Sequence, residues 1–351
     1  NLEDNITPGK LEKVISIKDE VNLQIVNSVP GTPVVITPDV ARGINFTGAL
    51  VYVNDFEGKI TKFNLTNMQN DGFGKSIKLY DSTLLLNIKA DRTNGRYQYH
   101  SMDAGIGRTS KNFWMFSGTG DYERMTARDS KIDNIMYGFR DKHYPLYKNI
   151  TFPPVVINGL QFCSDTTNDS TGSKCPVTTN SSTIIGGGQI GTPRGRSKKD
   201  MGWYIKLPAS QKVTAEPTVS NGLVYFPIFE PSQSANKCSL GLALICAVDD
   251  ECGTNKSQGL QTNAAVSTNN DISTDTTSGT GAQESVTIGT ENNACAYINE
   301  GVLSELVVFG TNLYANVAGP SEDTSTLYRV PALPGDIISN RGGWRLSLIH
   351  I

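Results

Sequence analysis

Apolar residues and short polar turns alternate along most of this chain, and the alternation is that of strands. The clearest case spans 50–65, LVYVNDFEGKITKFNL. Leu50, Val51, Tyr52 and Val53 run into the polar turn Asn54-Asp55-Phe56-Glu57-Gly58, and a second strand follows with Ile60, Phe63 and Leu65. Glycine in the turn with apolar runs on both sides predicts a β-hairpin. Weaker versions occur at 113–137, 223–248 and 306–317. No long window carries a 3.6-residue period. One antiparallel unit repeated without helices between predicts an all-β fold made by radial repetition of small sheets, a β-propeller. Repeat lengths of about 40–50 residues predict roughly four to six four-stranded sheets once insertions are set aside.

Other segments fit this frame. Residues 14–17 and 21–26 carry a modest strand pattern, Pro30-Gly31 marks a turn, and 34–37 is a short buried strand. Strands at 84–90 and 97–102 flank the turn Asp91-Arg92-Thr93-Asn94-Gly95. Phe113-Trp114-Met115-Phe116 leads into Ser117-Gly118-Thr119-Gly120-Asp121-Tyr122, where glycine lets the backbone approach a neighbouring strand. That Gly-x-Gly lacks a following helix and a lysine, so it is not read as a phosphate loop. Residues 163–199 are insertion-rich. Residues 254–294 are rich in Asn, Thr, Ser, Gly and Asp, and too poor in large apolar side chains to offset their own ordering entropy.

A chain of 351 residues suggests two domains at about 150 residues each, but one propeller absorbs that length. Residues 1–351 are therefore read as a single propeller domain with insertions at about 163–199 and 254–294. Lys and Arg number 31 against 34 Asp and Glu, a net charge of −3, and no basic stripe points to nucleic acid. The densest basic run, Arg194 to Lys199, reads as a solvated loop. The longest apolar run, 242–248, is far below the roughly 20 residues a membrane-spanning helix needs. Asn1-Leu2-Glu3-Asp4 is not a signal peptide, so an exported protein would have had its signal removed or carried upstream.

The cysteines speak to compartment. There are six: Cys163, Cys175, Cys238, Cys246, Cys252 and Cys295. Cys163 and Cys175 bracket a Ser/Thr/Asp loop that gains most from a covalent clip, which predicts a Cys163–Cys175 disulfide. No Cys-x-x-Cys pair supports zinc. The other cysteines allow three pairings. Cys252–Cys295 would clip the base of the long polar insertion and leave Cys238 with Cys246, although a fully extended 240–246 would hold those two too far apart. Disulfides imply an oxidising compartment.

Several phrases, taken in order, resemble the C-terminal domain of the type IV pilus tip-associated adhesin family (PilY/PilC type). Residues 49–65 are similar to that family's strand–turn–strand, and 113–122 to its "YFGTGRY"-like phrase. Residues 135–142 resemble its "FYGIWDK"-like strand, and GWYIKLP at 202–208 is close to "GWYLDLP". KVTAEPTVSNGLVYFPIFEP at 212–231 matches the next segment, Cys238 stands where a "PC" begins a strand, and Ala247-Val248-Asp249 corresponds to "YALD". The likeness covers about residues 33–250. It implies a modified quinoprotein-like β-propeller, incomplete in this chain, with the family's N-terminal adhesive region absent. It also implies a non-catalytic, extracellular protein at the pilus tip or outer cell surface, serving type IV pilus biogenesis, retraction control and adhesion. The implied partners are minor pilins or the pilus tip complex, and a host or abiotic surface ligand.

The family's calcium loop has degenerated here. At 38–46 only Asp39 could supply a carboxylate, and Arg42 adds positive charge, whereas a hard cation wants six or more oxygens. Asp91 with Asn94 is a weaker candidate without enough acidic neighbours. No cofactor is expected. One alternative is a secreted quinoprotein-like enzyme, which would need a Lewis-acidic calcium and a base facing the axis. The chain has no HxxxH or HExxH motif, and His100, His143 and His350 read as surface or packing residues. The other alternative is a structural filament or surface-layer module. The insertions 163–199 and 254–294 are the expected contact surfaces.

Overall fold

The hairpin at 50–65 is formed as its pattern dictates. Strands β2 (Leu50–Asn54) and β3 (Lys59–Asn64) pair antiparallel, with Leu50 opposite Asn64 and Asn54 opposite Ile60. Gly58 closes the turn at φ 71°, where a β-carbon would also strike the side chain of Ile88. The structure is a computed structural model that describes residues 11, 13–17, 26–37, 48–66, 79–108, 111–129, 131–141, 144–145, 155–156, 182–185, 202–207, 210–232, 240–251, 253, 256–257, 260, 295–318 and 327–332. Within them the protein is all-β. Helical geometry is confined to a 3-10 turn, Tyr122–Arg124, and to Leu260.

The described strands form four sheets in chain order. Sheet 1 holds β1 (Val34–Ile36), β2, β3 and β4 (Ser82–Asn87), with β8 (Val155–Val156) parallel to β4. Sheet 2 holds β5 (Asp103–Ile106), β6 (Phe113–Gly118), β7 (Ile135–Asp141) and β10 (Gly202–Lys206), with β9 (Ser182–Ile185) on its edge. Sheet 3 holds β13 (Leu223–Glu230) between β14 (Leu242–Asp249) and the pair β11 (Lys212–Val213) and β12 (Thr218–Ser220), with β15 (Ala296–Glu300) beyond β14. Sheet 4 is built on β18 (Asn312–Ala318), flanked by β16 (Val302–Leu303) and β17 (Val307–Phe309) on one side and β19 (Leu327–Pro331) on the other.

Strand alternation packs the sheets in series. Along β6, Phe113 and Met115 join a core with Leu50, Tyr52 and Ile60 of sheet 1. Their neighbours Trp114 and Phe116 join Val224, Phe226 and Ile228 of sheet 3. Leu223, Tyr225, Ala243 and Ile245 then face Leu313, Ala315 and Val317 of sheet 4. Sheets 2 and 3 are thus apolar on both faces, which is why their central strands read as continuous hydrophobic runs.

Polar ties join the first strands of consecutive sheets. Thr32 N donates to Ser101 Oγ at 2.7 Å, just ahead of β1 and β5. Val219 N donates to Asp103 Oδ2 at 2.8 Å, linking β12 to β5. Thr214 and Thr218 donate through Oγ1 to the carbonyls of Leu303 and Leu306, at 3.0 and 2.6 Å. Sheets that follow one another and abut along their first strands are consistent with a β-propeller-like domain.

Several expectations are corrected. Three of the sheets have five strands rather than four. The additional β8 and β9 pair along outer edges, where backbone groups would otherwise lack ladder partners. β9 lies inside 163–199, so that region is not wholly insertion. Residues 13–17 are not strand, and 97–102 join no ladder. The cysteine pairing also differs: Cys246 bonds Cys295, with Cα atoms 4.2 Å apart. Ile245 lies opposite Ala296 on β14 and β15, so the next pair out is Cys246 and Cys295, on one face at disulfide reach. This overturns both Cys252–Cys295 and Cys238–Cys246. Cys163, Cys175, Cys238 and Cys252 lie outside the described residues.

Trp203 is fully buried between sheets 2 and 3 and donates Nε1–H to the Asp250 carbonyl at 3.0 Å. Trp203→Ala is expected to lower the unfolding free energy by ~3–5 kcal/mol in urea titrations. Phe309→Ser, at a side chain 75% exposed, should stay within about 0.5 kcal/mol of wild type. Peptide mapping without reduction should recover Cys246 joined to Cys295. Recovery of Cys295 joined to Cys252 would reject the pairing.

Candidate functional site

One end of sheets 1 and 2 gathers many of the buried polar groups among the described residues, and it begins at the β2–β3 turn. Asp55 Oδ1 accepts from Lys59 N at 2.8 Å, and Asp55 Oδ2 accepts from Asn27 Nδ2 at 2.9 Å. Lys59 Nζ lies 3.4 Å from Asp55 Oδ2 and also pairs with the Glu57 carboxylate. Asn27 Oδ1 accepts from Glu57 N at 3.2 Å. Burial pushes the Asp55 carboxyl up, against the pull of Asn27 and Lys59. The turn is held from within, and it presents Phe56.

Phe56 nucleates an aromatic group. Tyr97 stacks on it with centroids 4.6 Å apart and planes 7° apart, and Tyr99 meets it edge-on at 4.8 Å. Tyr122 lies 6.2 Å from Tyr99 and 5.6 Å from His100. Tyr97 and Tyr99 come from the segment that threads between the hairpin turn and the loop after β6, where Gly120 N donates to the Tyr97 carbonyl at 2.9 Å. Tyr122 is half exposed, so the group opens to solvent there. Asp121 is buried beside it, accepting from Tyr99 Oη at 3.4 Å and from Arg124 Nε. Burial, then the Asp121 carboxylate, raises Tyr99, and the bond to Asp121 raises Arg124. Burial lowers His100 to about 4, so its imidazole is neutral at pH 7.

A polar layer supports the group. Gln98 donates through Nε2 to Ser117 Oγ at 2.7 Å and accepts from Tyr137 Oη at 3.0 Å. Asn54 Nδ2 donates to the His100 carbonyl at 2.8 Å. Lys212, fully buried, reaches from sheet 3 to the carbonyls of Ala127 and Ser210, each at 3.0 Å, and burial lowers its pKa to about 8. Glycine at 118 and 120 is what lets β11 come so close: a β-carbon there would strike Val213 and Lys212. The exposed rim presents the Tyr122 ring, the Glu123 carboxylate and the Arg124 guanidinium. Such groups hold a partner by stacking and by charge-assisted hydrogen bonds.

The residues singled out from sequence lie elsewhere. Asp91 Oδ1 accepts from Thr93 N, Thr93 Oγ1 and Asn94 N at 2.7, 2.5 and 2.9 Å. Asn94 Oδ1 accepts from the backbone of Asp91 and Arg96 at 3.0 and 3.1 Å. Burial pushes Asp91 up, but these bonds outweigh it and its pKa is lowered. These oxygens build the turn. Among the described residues no cluster of three or more His, Cys, Asp or Glu is placed to hold a metal. No helix among them is long and apolar enough to cross a membrane. Asp39, His143, His350, all of 163–199 except 182–185 and all of 254–294 except 256, 257 and 260 fall outside the described residues. Those three are anchored to the sheets and are not free insertion: Leu260 is buried in the core shared by sheets 3 and 4, Lys256 N donates to the Ala247 carbonyl at 2.7 Å, and Ser257 Oγ donates to the same carbonyl at 3.2 Å. Sequence reading missed the aromatic group. Its one local signal is the period-2 spacing of Tyr97 and Tyr99 after a glycine turn.

His100 yields a pH prediction. Its folded pKa of about 4 lies below the ordinary 6.5, so the unfolded chain binds more protons between those values. Its contribution is complete above about pH 6.5 and is lost as pH falls toward about 4. Wild type should lose on the order of 2 kcal/mol relative to His100→Gln across that window in urea titrations, and the two curves should run parallel above it. Parallel curves throughout would reject the assignment.

Compared with known proteins, the chain matches no protein-family model and no curated protein sequence. Among solved structures it is similar to the crystal structure of the Pseudomonas aeruginosa PilY1 C-terminal domain, at 15% sequence identity and a TM-score of 0.44. The match covers 82% of this chain, which spans 57% of that domain's length.

Proposed function

We propose that this protein is a non-catalytic component of the type IV pilus tip or outer cell surface, supporting pilus biogenesis, retraction control and adhesion. The observation that carries the reading is where the family-like phrases fall. LVYVN and KITKFN are β2 and β3, FWMFSG and IMYGFRD are β6 and β7, GWYIK is β10, and LVYFPIFE and LALICAVD are β13 and β14. In chain order they supply the inner strands of sheets 1, 2 and 3. A resemblance confined to one hairpin would not distribute itself in this way. The Cys246–Cys295 disulfide supports an oxidising compartment. In this reading the sheets are blades of one propeller, and the exposed rim of Tyr122, Glu123 and Arg124 serves as contact surface, as do the two insertions. Minor pilins and a surface ligand are the partners.

The test is genetic. Removing the gene should reduce surface pili and attachment, and a copy lacking 261–294, which spares the buried Leu260 and the Ser257 bonds to β14, should still fold, because that segment is poor in large apolar side chains. Unaltered piliation and attachment in the null strain would overturn the function. Full complementation by a chain lacking both insertions would overturn their role as contact surface.

A further inference from the structure

Lys62 on β3 and Asp141 at the end of β7 meet between sheets 1 and 2. Lys62 Nζ is 2.5 Å from Asp141 Oδ2, and the side chains are 2% and 1% exposed. Tyr52 Oη donates to the same Oδ2 at 2.7 Å, and Lys62 Nζ lies 5.7 Å from the centre of the Tyr52 ring. The setting is apolar. Tyr52 belongs to the core shared with Leu50, Ile60, Phe113 and Phe139, and the Phe113 ring sits 5.1 Å from it. An amine, a carboxyl group and a hydroxyl donor are therefore held in contact away from water. Condensation needs the uncharged pair, an amine against a carboxylic acid, and burial penalises the ion pair relative to it. Burial lowers Lys62, and burial with the nearby Asp141 keeps the Tyr52 hydroxyl protonated.

We propose that Lys62 and Asp141 condense to an intramolecular isopeptide bond joining sheets 1 and 2, with the Tyr52 hydroxyl stabilising the oxygen on which negative charge develops. The Lys62 Nζ lone pair attacks Asp141 Cγ, the N–C bond forms, and the carbonyl electron pair moves onto oxygen, where the Tyr52 hydroxyl stabilises it. The C–O bond to the acid hydroxyl then breaks, and the hydroxyl leaves with a proton from nitrogen as water. Nothing is oxidised or reduced, and no co-reactant is needed. The bond would bridge residues 79 apart in sequence and hold the middle strands of two sheets together. It does not depend on the pilus reading.

The experiment is intact mass spectrometry of the full chain after reduction of its cysteines. The expected mass is lower than the sequence requires by one water, and proteolysis should release a branched peptide containing Lys62 and Asp141. Lys62→Arg, which keeps a cation opposite the carboxylate, should fold by circular dichroism and lose the mass deficit. Tyr52→Phe should cross-link more slowly after refolding, and an unchanged rate would overturn the role given to the Tyr52 hydroxyl. A full-mass wild-type chain with Lys62 and Asp141 recovered on separate peptides would overturn the bond.

Discussion

The alternation of side chains along the central strands of sheets 2 and 3 is the constraint on which the other features rest. In β6, β7, β13 and β14 every second residue packs to one neighbouring sheet and the residues between pack to the other. A slip of one residue would exchange the two sets, sending Trp114 and Phe116 toward sheet 1 and Phe113 and Met115 toward sheet 3. The two faces are not interchangeable. Gly138 leaves room for the Trp203 ring, and a β-carbon there would meet both Trp203 and Phe116. Each buried apolar side chain contributes about 1.5–3 kcal/mol, so a shifted register loses more than any single contact.

Polar groups refine what packing decides. The ties among first strands run from side-chain oxygens to backbone groups of the next sheet, and they set how consecutive sheets abut. Before condensation, the Lys62–Asp141 pair is a buried polar contact at the sheet 1–sheet 2 junction. Buried ion pairs recover little net energy because desolvation opposes the attraction, so specificity of docking is the larger consequence. Lys212 plays a related part between sheet 3 and the loop after β6, through two carbonyls rather than a carboxylate.

Much of the local architecture was legible in the chain. The 50–65 hairpin and the paired runs at 223–248 are short-range features, and the ladders follow them. Asn221 and Gly222 both adopt positive φ, 52° and 77°, as a tight hairpin turn requires. The cysteine partners were not legible. Cys246 and Cys295 are 49 residues apart across a polar insertion, and only the β14–β15 register brings them onto one face. The edge strands β8 and β9 were equally hidden, because two- to four-residue segments carry no pattern of their own and form only where an edge invites them.

The candidate site divides in the same way. Local turn chemistry determined the Asp55–Gly58 turn and the Asp91–Gly95 turn, since Asp and Asn oxygens capture nearby backbone N–H groups over a few residues. The sequence by itself therefore determined strands, turns and the two-faced character of the central sheets, all of which depend on neighbours in the chain. Tertiary structure alone decided that Phe56, Tyr97, Tyr99, His100 and Tyr122 meet around Asp121, and that Lys62 finds Asp141. Those contacts join separate loops or separate sheets. Their existence depends on the order and spacing in which whole sheets stack, and the period of a single strand does not contain that information.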